Sequence, residues 1–388
     1  MPFEALDFYR IDDLLAPEER IVRDTVREFV DKEFMPVVIE HFRQDGSFPM
    51  TLVPKMAELG LFGANLEGYG CAGMNNVAYG LVMQELERGD SGLRSFASVQ
   101  GALCMYPILT FGSDEQKEKW LPRMASGEVI GCFGLTEPDF GSNPAGMRTK
   151  AERSGSGWVL NGTKRWITNG TVADLSLVWA RTEDGIRGFL VEKDAPGFES
   201  RDIKGKLSLR ASVTSELYLS DTPVSEENRL PKAEGLKAPL ACLTQARAGI
   251  SWGAIGAALA CFDEALRYTQ EREIFDRPLA AFQLSQQKLV YMATEITKAQ
   301  LLSLRLSRLK DQGQATPSMV SMAKMNNVDI ALNIARLARD LLGANGIVDD
   351  YCPMRHMLNL ETVRTYEGTH EIHTLVLGHE LTGLPAYR

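Results

Sequence analysis

Gly131-Cys132-Phe133-Gly134-Leu135-Thr136-Glu137-Pro138-Asp139-Phe140-Gly141-Ser142-Asn143 is where the chain changes character. Ahead of it apolar residues recur every three or four positions. Behind it they gather in short β-branched and aromatic runs separated by turn residues. The stretch combines glycines, hydroxyls and a passage from strand to loop. Its peptide N–H groups can hydrogen-bond the edge of a flat heteroaromatic ring, and Ser142 can meet a phosphate. It reads equally as a glycine-rich joint between domains.

Upstream, Ile21, Val22, Val26, Phe29, Val30 and Phe34 predict a helix from Pro17 to about Val38. Pro17, Glu18 and Glu19 suit its first turn, where a missing N–H costs nothing and acids meet the positive helix end. Further helices are expected over 51–59, 77–88, 93–111 and 115–125, with breaks at Gly60 and Asp90-Ser91-Gly92. Downstream, 129–134, 158–160, 164–168, 175–181, 188–191 and 215–219 read as strands, and Asn161-Gly162 is a hairpin cue between two of them. An antiparallel β domain over 130–235, a small barrel or sandwich, follows. The helical period then returns over 239–272, 279–312 and 317–342, where Thr316-Pro317 supplies an N-cap and first-turn proline. The domains are therefore an N-terminal α-helical domain (1–129), a middle β domain (130–235) and a C-terminal helical bundle (236–388), an α+β chain without internal repeats.

Composition removes several functions. Net charge is −9 with no Lys/Arg block, which argues against a general nucleic-acid or anionic-membrane surface. No run of about 18 apolar residues exists to span a membrane. Met1-Pro2-Phe3-Glu4-Ala5 carries neither a signal nor a transit pattern, so a cytoplasmic location is expected, or a mitochondrial matrix for a trimmed protein. The six cysteines form no C-x-x-C pair and read as reduced, packed thiols. Glu367-x-x-His370 has the spacing of di-iron bundles, but that chemistry needs a second copy and the chain has none, so no metal is expected. P-loop, Rossmann and serine-hydrolase fingerprints are absent.

One further stretch is chemical. Tyr366-Glu367-Gly368-Thr369 interrupts a helical pattern with a lone carboxylate, a glycine that lets a ligand approach the backbone, and a residue fit to cap the next helix. A plain helix joint with a solvated Glu is the other reading. Trp166-Ile167-Thr168 pairs an aromatic face with a hydroxyl donor, unless the Trp is simply core.

Five separated phrases resemble the acyl-CoA dehydrogenase family in order and spacing: GCFGLTEPDFGSN (131–143), KRWITNG (164–170), ERE-IF-RPLAAFQ (271–283), RDLLGANGI (339–347) and TYEGTHEIHTLVLG (365–378). The likeness covers essentially the whole chain and implies that family's helical, β and four-helix-bundle domains. Glu85 to Ser95, Leu243 to Arg247 and Tyr366-Glu367 are similar to the members that oxidise glutaryl-CoA, and a cation at Arg94 is not expected in relatives acting on monocarboxylic chains.

The resemblance implies FAD as cofactor, contacted by Phe133, Leu135, Thr136, Gly141, Ser142, Trp166, Ile167, Thr168 and Thr369. Arg272, Phe275, Gln283 and Asp340-Leu341-Leu342-Gly343-Ala344 would hold the adenine half of a neighbouring subunit's FAD, in a homotetramer. It implies Glu367 as catalytic base, and Glu87, Arg94, Ser95, Ser142, Leu243, Arg247, Tyr366 and Gly368 as substrate contacts. Oxidative decarboxylation of glutaryl-CoA to crotonyl-CoA and carbon dioxide is expected, with electrons passed to an electron-transferring flavoprotein. Alternatives are dehydrogenation of another short acyl-CoA without decarboxylation, an acyl-CoA oxidase, or a scaffold retaining the fold. Asp276, Asn143 and Phe140 depart from the family's usual residues near the expected FAD contacts.

Overall fold

Helix starts are set where side chains can satisfy free N–H groups. The computed structural model of the chain describes residue 3 and residues 6–386, so the N-terminal pentapeptide lies outside them except for Phe3. Helix α1 (Pro17–Phe29) opens at its proline, with Glu19 accepting from the Ala16 N–H at 2.8 Å. A π-helical turn over Val30–Phe34 continues it. Helices α2 (Val38–Arg43), α3 (Val53–Glu58), α4 (Asn76–Gly89), α5 (Ser91–Ser98), α6 (Tyr106–Phe111) and α7 (Asp114–Ala125) complete the N-terminal part. The segment expected as one helix from 93 to 111 is α5 and α6 joined by a π-helical stretch, Val99–Met105. The break before it is narrower than expected, a single extended residue, Asp90, whose carboxylate caps α5 through the Gly92 N–H at 2.7 Å.

The sheet contains β1 (Gly131–Gly134), β2 (Lys150–Ser154), β3 (Gly157–Thr168), β4 (Leu175–Thr182), β5 (Gly185–Glu192), β6 (Phe198–Asp202) and β7 (Thr214–Ser225). Strand order is β1-β4-β2-β3-β7-β6, with β5 on β4. It is not wholly antiparallel as expected: β1 runs parallel to β4, and β2 touches β4 in parallel at Lys150 and Arg181. Asn161-Gly162 is not a hairpin either. The runs on both sides of it pair with the same neighbour, β7, so the strand continues and absorbs an irregularity between Leu160 and Gly162. Gly162 takes φ 152, and a Cβ there would meet Thr149 Oγ1 at 2.4 Å. The hairpin turn lies earlier, at Gly155-Ser156, where Gly155 has φ 57 and Ser154 pairs with Gly157. β2 and β6 escaped the sequence reading because their side chains are mostly polar, with one buried residue in β2 and none in β6.

Helices α8 (Lys237–Glu271), α9 (Gln283–Asp311), α10 (Pro317–Leu341) and α11 (Cys352–Thr365) form the C-terminal part, with a fifth helix, α12 (His370–Thr382), packed on α10. α8 touches α9, α10 and α11 and, on its other side, α4. Glycines set that last approach. A Cβ at Gly256 would lie 1.9 Å from the Gln84 carbonyl oxygen, and one at Gly253 would lie 2.0 Å from Glu87 Oε2. In return, Gly80 of α4 makes room for Trp252, whose indole N–H donates to Ser307 at 2.9 Å. Leu81, Met83, Leu86, Ile250, Ile255 and Val328 consequently share one core across the two helical parts.

Gly256→Ala inserts a methyl against backbone, which cannot rotate away. The expected loss is about 1–3 kcal/mol, the usual cost of overpacking, read from denaturant midpoints. An unchanged midpoint would show that α4 and α8 do not need this glycine.

Candidate active site

The turn between α11 and α12 is four residues long, Tyr366 to Thr369. Thr369 caps α12, its hydroxyl oxygen accepting from the Ile372 N–H at 3.2 Å, as the sequence suggested. Glu367 has φ 51 and Gly368 φ 93. A left-handed glutamate costs about 1–3 kcal/mol and persists only where its surroundings impose it. Here cations do so. Lys324 of α10 donates to the carbonyls of Tyr366 (3.1 Å) and Gly368 (2.8 Å), and Arg247 of α8 donates to that of Glu367 (2.6 Å). Gly368 has no room for a side chain, since a Cβ would meet His373 Nε2 at 2.9 Å and Arg247 Nη2 at 3.1 Å.

Glu367 keeps partial exposure, while its Oε2 is buried without a hydrogen-bond partner among the described residues. Burial raises its pKa, and Arg94, Arg247 and Lys324 oppose the rise. It is a carboxylate made more basic than usual, with one oxygen left free to accept a proton.

Beside it stands a buried guanidinium. Arg94 is 1% exposed; its Nε donates to Glu87 at 2.7 Å and its Nη2 donates to the Tyr366 hydroxyl. Ser91 donates to the other Glu87 oxygen at 2.8 Å, and Ser95 Oγ lies 3.5 Å from the Tyr366 hydroxyl. Burial works against the Arg94 charge, but Glu87, Tyr366 and Glu367 outweigh it and its pKa is raised. A guanidinium has five N–H donors, and these two bonds leave the rest for a ligand. The ion pair with Glu87 therefore coexists with capacity for a carboxylate. Asp90, nearby in sequence, has other partners: its Oδ2 receives Arg355 at 2.5 Å and Asn359 at 2.9 Å, both on α11. Asp90 thus ties α5, which carries Arg94, to the helix that leads into Glu367.

Arg94, Ser95, Glu87, Tyr366, Glu367, Gly368 and Arg247 come together in this way, and Leu243 lies buried one turn before Arg247 on α8. Phe133 and Leu135 are buried along and just after β1, Thr136 half-buried, and Gly141 and Ser142 exposed on the following loop. Trp166 is 55% exposed with φ 63, while the Ile167 side chain is buried with Cys132 and Leu217, and Thr168 ends β3. Arg272, Phe275 and Asp276 lie on the α8–α9 connection, Gln283 opens α9, and Asp340 to Ala344 lie at the end of α10. Leu341 is about 25 Å along α10 from Lys324 at the helical rise, so this second group does not join the Glu367 cavity. Phe275 and Asp276 form a two-residue turn, both with positive φ, and Phe275 is 86% exposed. Asp340 pairs with Lys288, while Leu341 and Leu342 are core residues.

Sequence reasoning missed four residues. Lys324 could have been found, because spacing with Val320, Asn327, Val328 and Ala331 puts it on the buried face of α10. Tyr79 and His373 gave no signal; the Tyr79 hydroxyl and both His373 ring nitrogens are buried without partners among the described residues. Glu137, in the loop read for its glycines, is an anchor: it accepts from the Arg148 N–H (2.6 Å), the Thr149 N–H (2.9 Å) and Lys164 Nζ (2.9 Å). Burial lowers the Lys164 pKa to about 8 despite Glu137.

A helical, sheet, helical chain with a half-buried carboxylate on a left-handed turn between two helices defines the class, and three family models agree. Acyl-CoA dehydrogenase N-terminal, middle and C-terminal domains match residues 16–128, 132–222 and 233–382. The chain belongs to the acyl-CoA dehydrogenase family. In particular it is similar to a glutaryl-CoA dehydrogenase of Mycobacterium smegmatis, solved in complex with FADH2, at 54% identity over 100% of both chains and a TM-score of 0.98. The Desulfococcus multivorans glutaryl-CoA dehydrogenase is 34% identical over 95% of this chain and 98% of its own. The rat short-chain specific acyl-CoA dehydrogenase is 36% identical over 96% of this chain and 92% of its own.

Lys164→Met strands the Glu137 carboxylate, and breaking a buried pair in this way costs about 3–5 kcal/mol. The Lys164→Met/Glu137→Gln double variant should lose less in the same denaturation measurement. Equal losses would mean that the pair does not anchor the loop.

Proposed function

We propose that the chain oxidises glutaryl-CoA and releases carbon dioxide from the product, with Glu367 as the base for the α-proton and Arg94 as the partner of the distal carboxylate. The observation that carries this reading is the junction at Tyr366: its backbone continues into Glu367 while its hydroxyl accepts from the buried Arg94. A base and a guanidinium with unspent donors share one cavity wall. The 54% and 57% identical structures, both glutaryl-CoA dehydrogenases, support the choice of acid.

FAD is the cofactor of this family, and the residues fit it. β1 is an edge strand, paired with β4 on one side; on the other the Gly131 N–H donates to Gln100 Oε1 at 2.8 Å, and the peptide groups beyond Gly131 would meet a flat ring. Trp166 stands exposed at the end of β3, and the Thr369 hydroxyl, whose oxygen is used in capping, keeps its proton to donate. Phe133, Leu135, Thr136, Trp166, Ile167, Thr168 and Thr369 would hold the ring, and Gly141 and Ser142 the phosphates. When bound, FAD supplies the acceptor for the β-hydride.

The chain's own residues do the rest. Glu367 takes the α-proton while its N–H polarises the thioester carbonyl, a preorganised donor at the oxygen where charge develops. A positioned base is worth about 10²–10⁴-fold. Arg94 holds the far carboxylate, with Glu87 and Tyr366 fixing the guanidinium. After oxidation that carboxylate is conjugated to the thioester and leaves as carbon dioxide, its electrons passing into a dienolate that is protonated to crotonyl-CoA. Electron delivery to an electron-transferring flavoprotein and a cytoplasmic location belong to the same reading. A homotetramer is supported by exposed Leu284, Tyr291, Met319, Met322 and Ile347 on the C-terminal helices. Among the described residues no helix is long and apolar enough to cross a membrane.

Glu367→Gln should retain FAD yet fail to bleach in anaerobic titration with glutaryl-CoA; normal bleaching would remove Glu367 as the base. Arg94→Ala should lose about 2–5 kcal/mol in kcat/KM for glutaryl-CoA and far less for butyryl-CoA. An equal loss on both would leave Arg94 a structural residue. Crotonyl-CoA and carbon dioxide among the products support decarboxylation, glutaconyl-CoA alone contradicts it, and peroxide formed in air identifies an oxidase.

A further inference from the structure

Lys324 is 1% exposed, and both of its hydrogen bonds go to peptide carbonyls, those immediately before and after Glu367. With Arg247 on the Glu367 carbonyl, three successive carbonyls are turned toward two cations. Such a row of carbonyls requires the left-handed backbone seen at Glu367 and Gly368. A charged amine buried only to hold a surface turn would be a poor use of the core, because burial disfavours its charge. We propose that Lys324 is a positioning residue for the base: from α10 it fixes the left-handed turn that aims Glu367 and supplies positive charge that keeps the carboxylate ionised. This rests on Glu367 being the base.

Other groups face the pair. Arg94 of α5, Arg247 of α8 and Arg364 of α11 add positive charge around Lys324; Tyr366 of the turn interacts with Arg94 and Glu367. Tyr79 of α4 interacts with Glu367, and His370 and His373 stand on α12. Burial pushes His373 down to about 3, which leaves it neutral. Burial, with Arg247, Arg94 and Arg364, brings Lys324 down to about 7 against the pull of Glu367. A deprotonated Lys324 retains two N–H bonds, enough for both carbonyls. Geometry therefore survives its titration, and the charge does not.

The sign of the pH effect follows. Glu367 accepts a proton only when ionised, so kcat/KM falls as pH drops through its pKa. Burial raises that pKa and Lys324 lowers it. Without the cation the fall moves to higher pH.

The test uses FAD-loaded Lys324→Met, Lys324→Gln and Lys324→Arg enzymes, with flavin absorbance as the check of folding. Lys324→Met should lower kcat by about 10–100-fold, as small misplacements of a reacting group do, with KM for glutaryl-CoA little changed. Its acid limb should move up by about one pH unit, the scale of an opposite charge at close range. Lys324→Gln should show the same pH displacement with a smaller loss of kcat, because the amide keeps its donors, and Lys324→Arg should restore the limb. A pH-dependent infrared band of the protonated carboxyl, assigned by its absence in Glu367→Gln, should shift in parallel without turnover. An acid limb and band that stay in place in both neutral variants overturn the proposal. Flavin reduction by Glu367→Gln would overturn the base assignment instead, so the two failures are distinguishable.

Discussion

The close approach of α4 and α8 is the constraint from which the site follows. Gly253 and Gly256 let α8 lie against the α4 backbone, and Glu87 occupies the space that a side chain at Gly253 would need. Glu87 then fixes Arg94, and Arg94 meets Tyr366. The same α8 carries Arg247, one and a half turns before Gly253, to the Glu367 carbonyl. One helix contact thus sets both the buried Arg94 and one of the cations that shape the Glu367 turn. Its tightness explains how charged groups can be buried here, since close packing holds the partners at hydrogen-bond distance.

Charge around the cavity is unbalanced. Arg94, Arg247 and Lys324 all act on Glu367, and Glu87 offsets the first of them. A cavity with surplus positive charge favours an anion, and both a dicarboxylic acyl chain and the enolate formed by removing an α-proton are anionic. The surplus also restrains the rise in the Glu367 pKa that burial produces.

Much of this was legible in the residues. The long helices announced themselves by spacing, and Thr316-Pro317 and Thr369 marked helix starts that the structure uses. Strands were harder. Asn161-Gly162 has the composition of a turn but sits at an irregularity inside β3, because the pairing of both flanks with β7 is a long-range fact that local sequence does not carry. Glu367 and Arg94 stood out through the phrases around them, whereas their mutual approach depends on helix packing between residues 272 apart in the chain, as the Arg94–Tyr366 contact shows. Glu137 was read as part of a glycine-rich loop, and its role as an anchor became visible only with Lys164 placed opposite.

Asp90 gives the cavity a fixed length. One carboxylate caps the helix carrying Arg94 and grips Arg355 and Asn359 on the helix that ends at Glu367. Neither helix can slide without breaking those bonds, so the Arg94 guanidinium and the Glu367 carboxylate are held as the two jaws of a caliper. Under the proposed function, such a pair would gauge a ligand by the number of carbons between its carboxylate and its acidic C–H bond, and a chain one carbon shorter or longer would meet only one jaw.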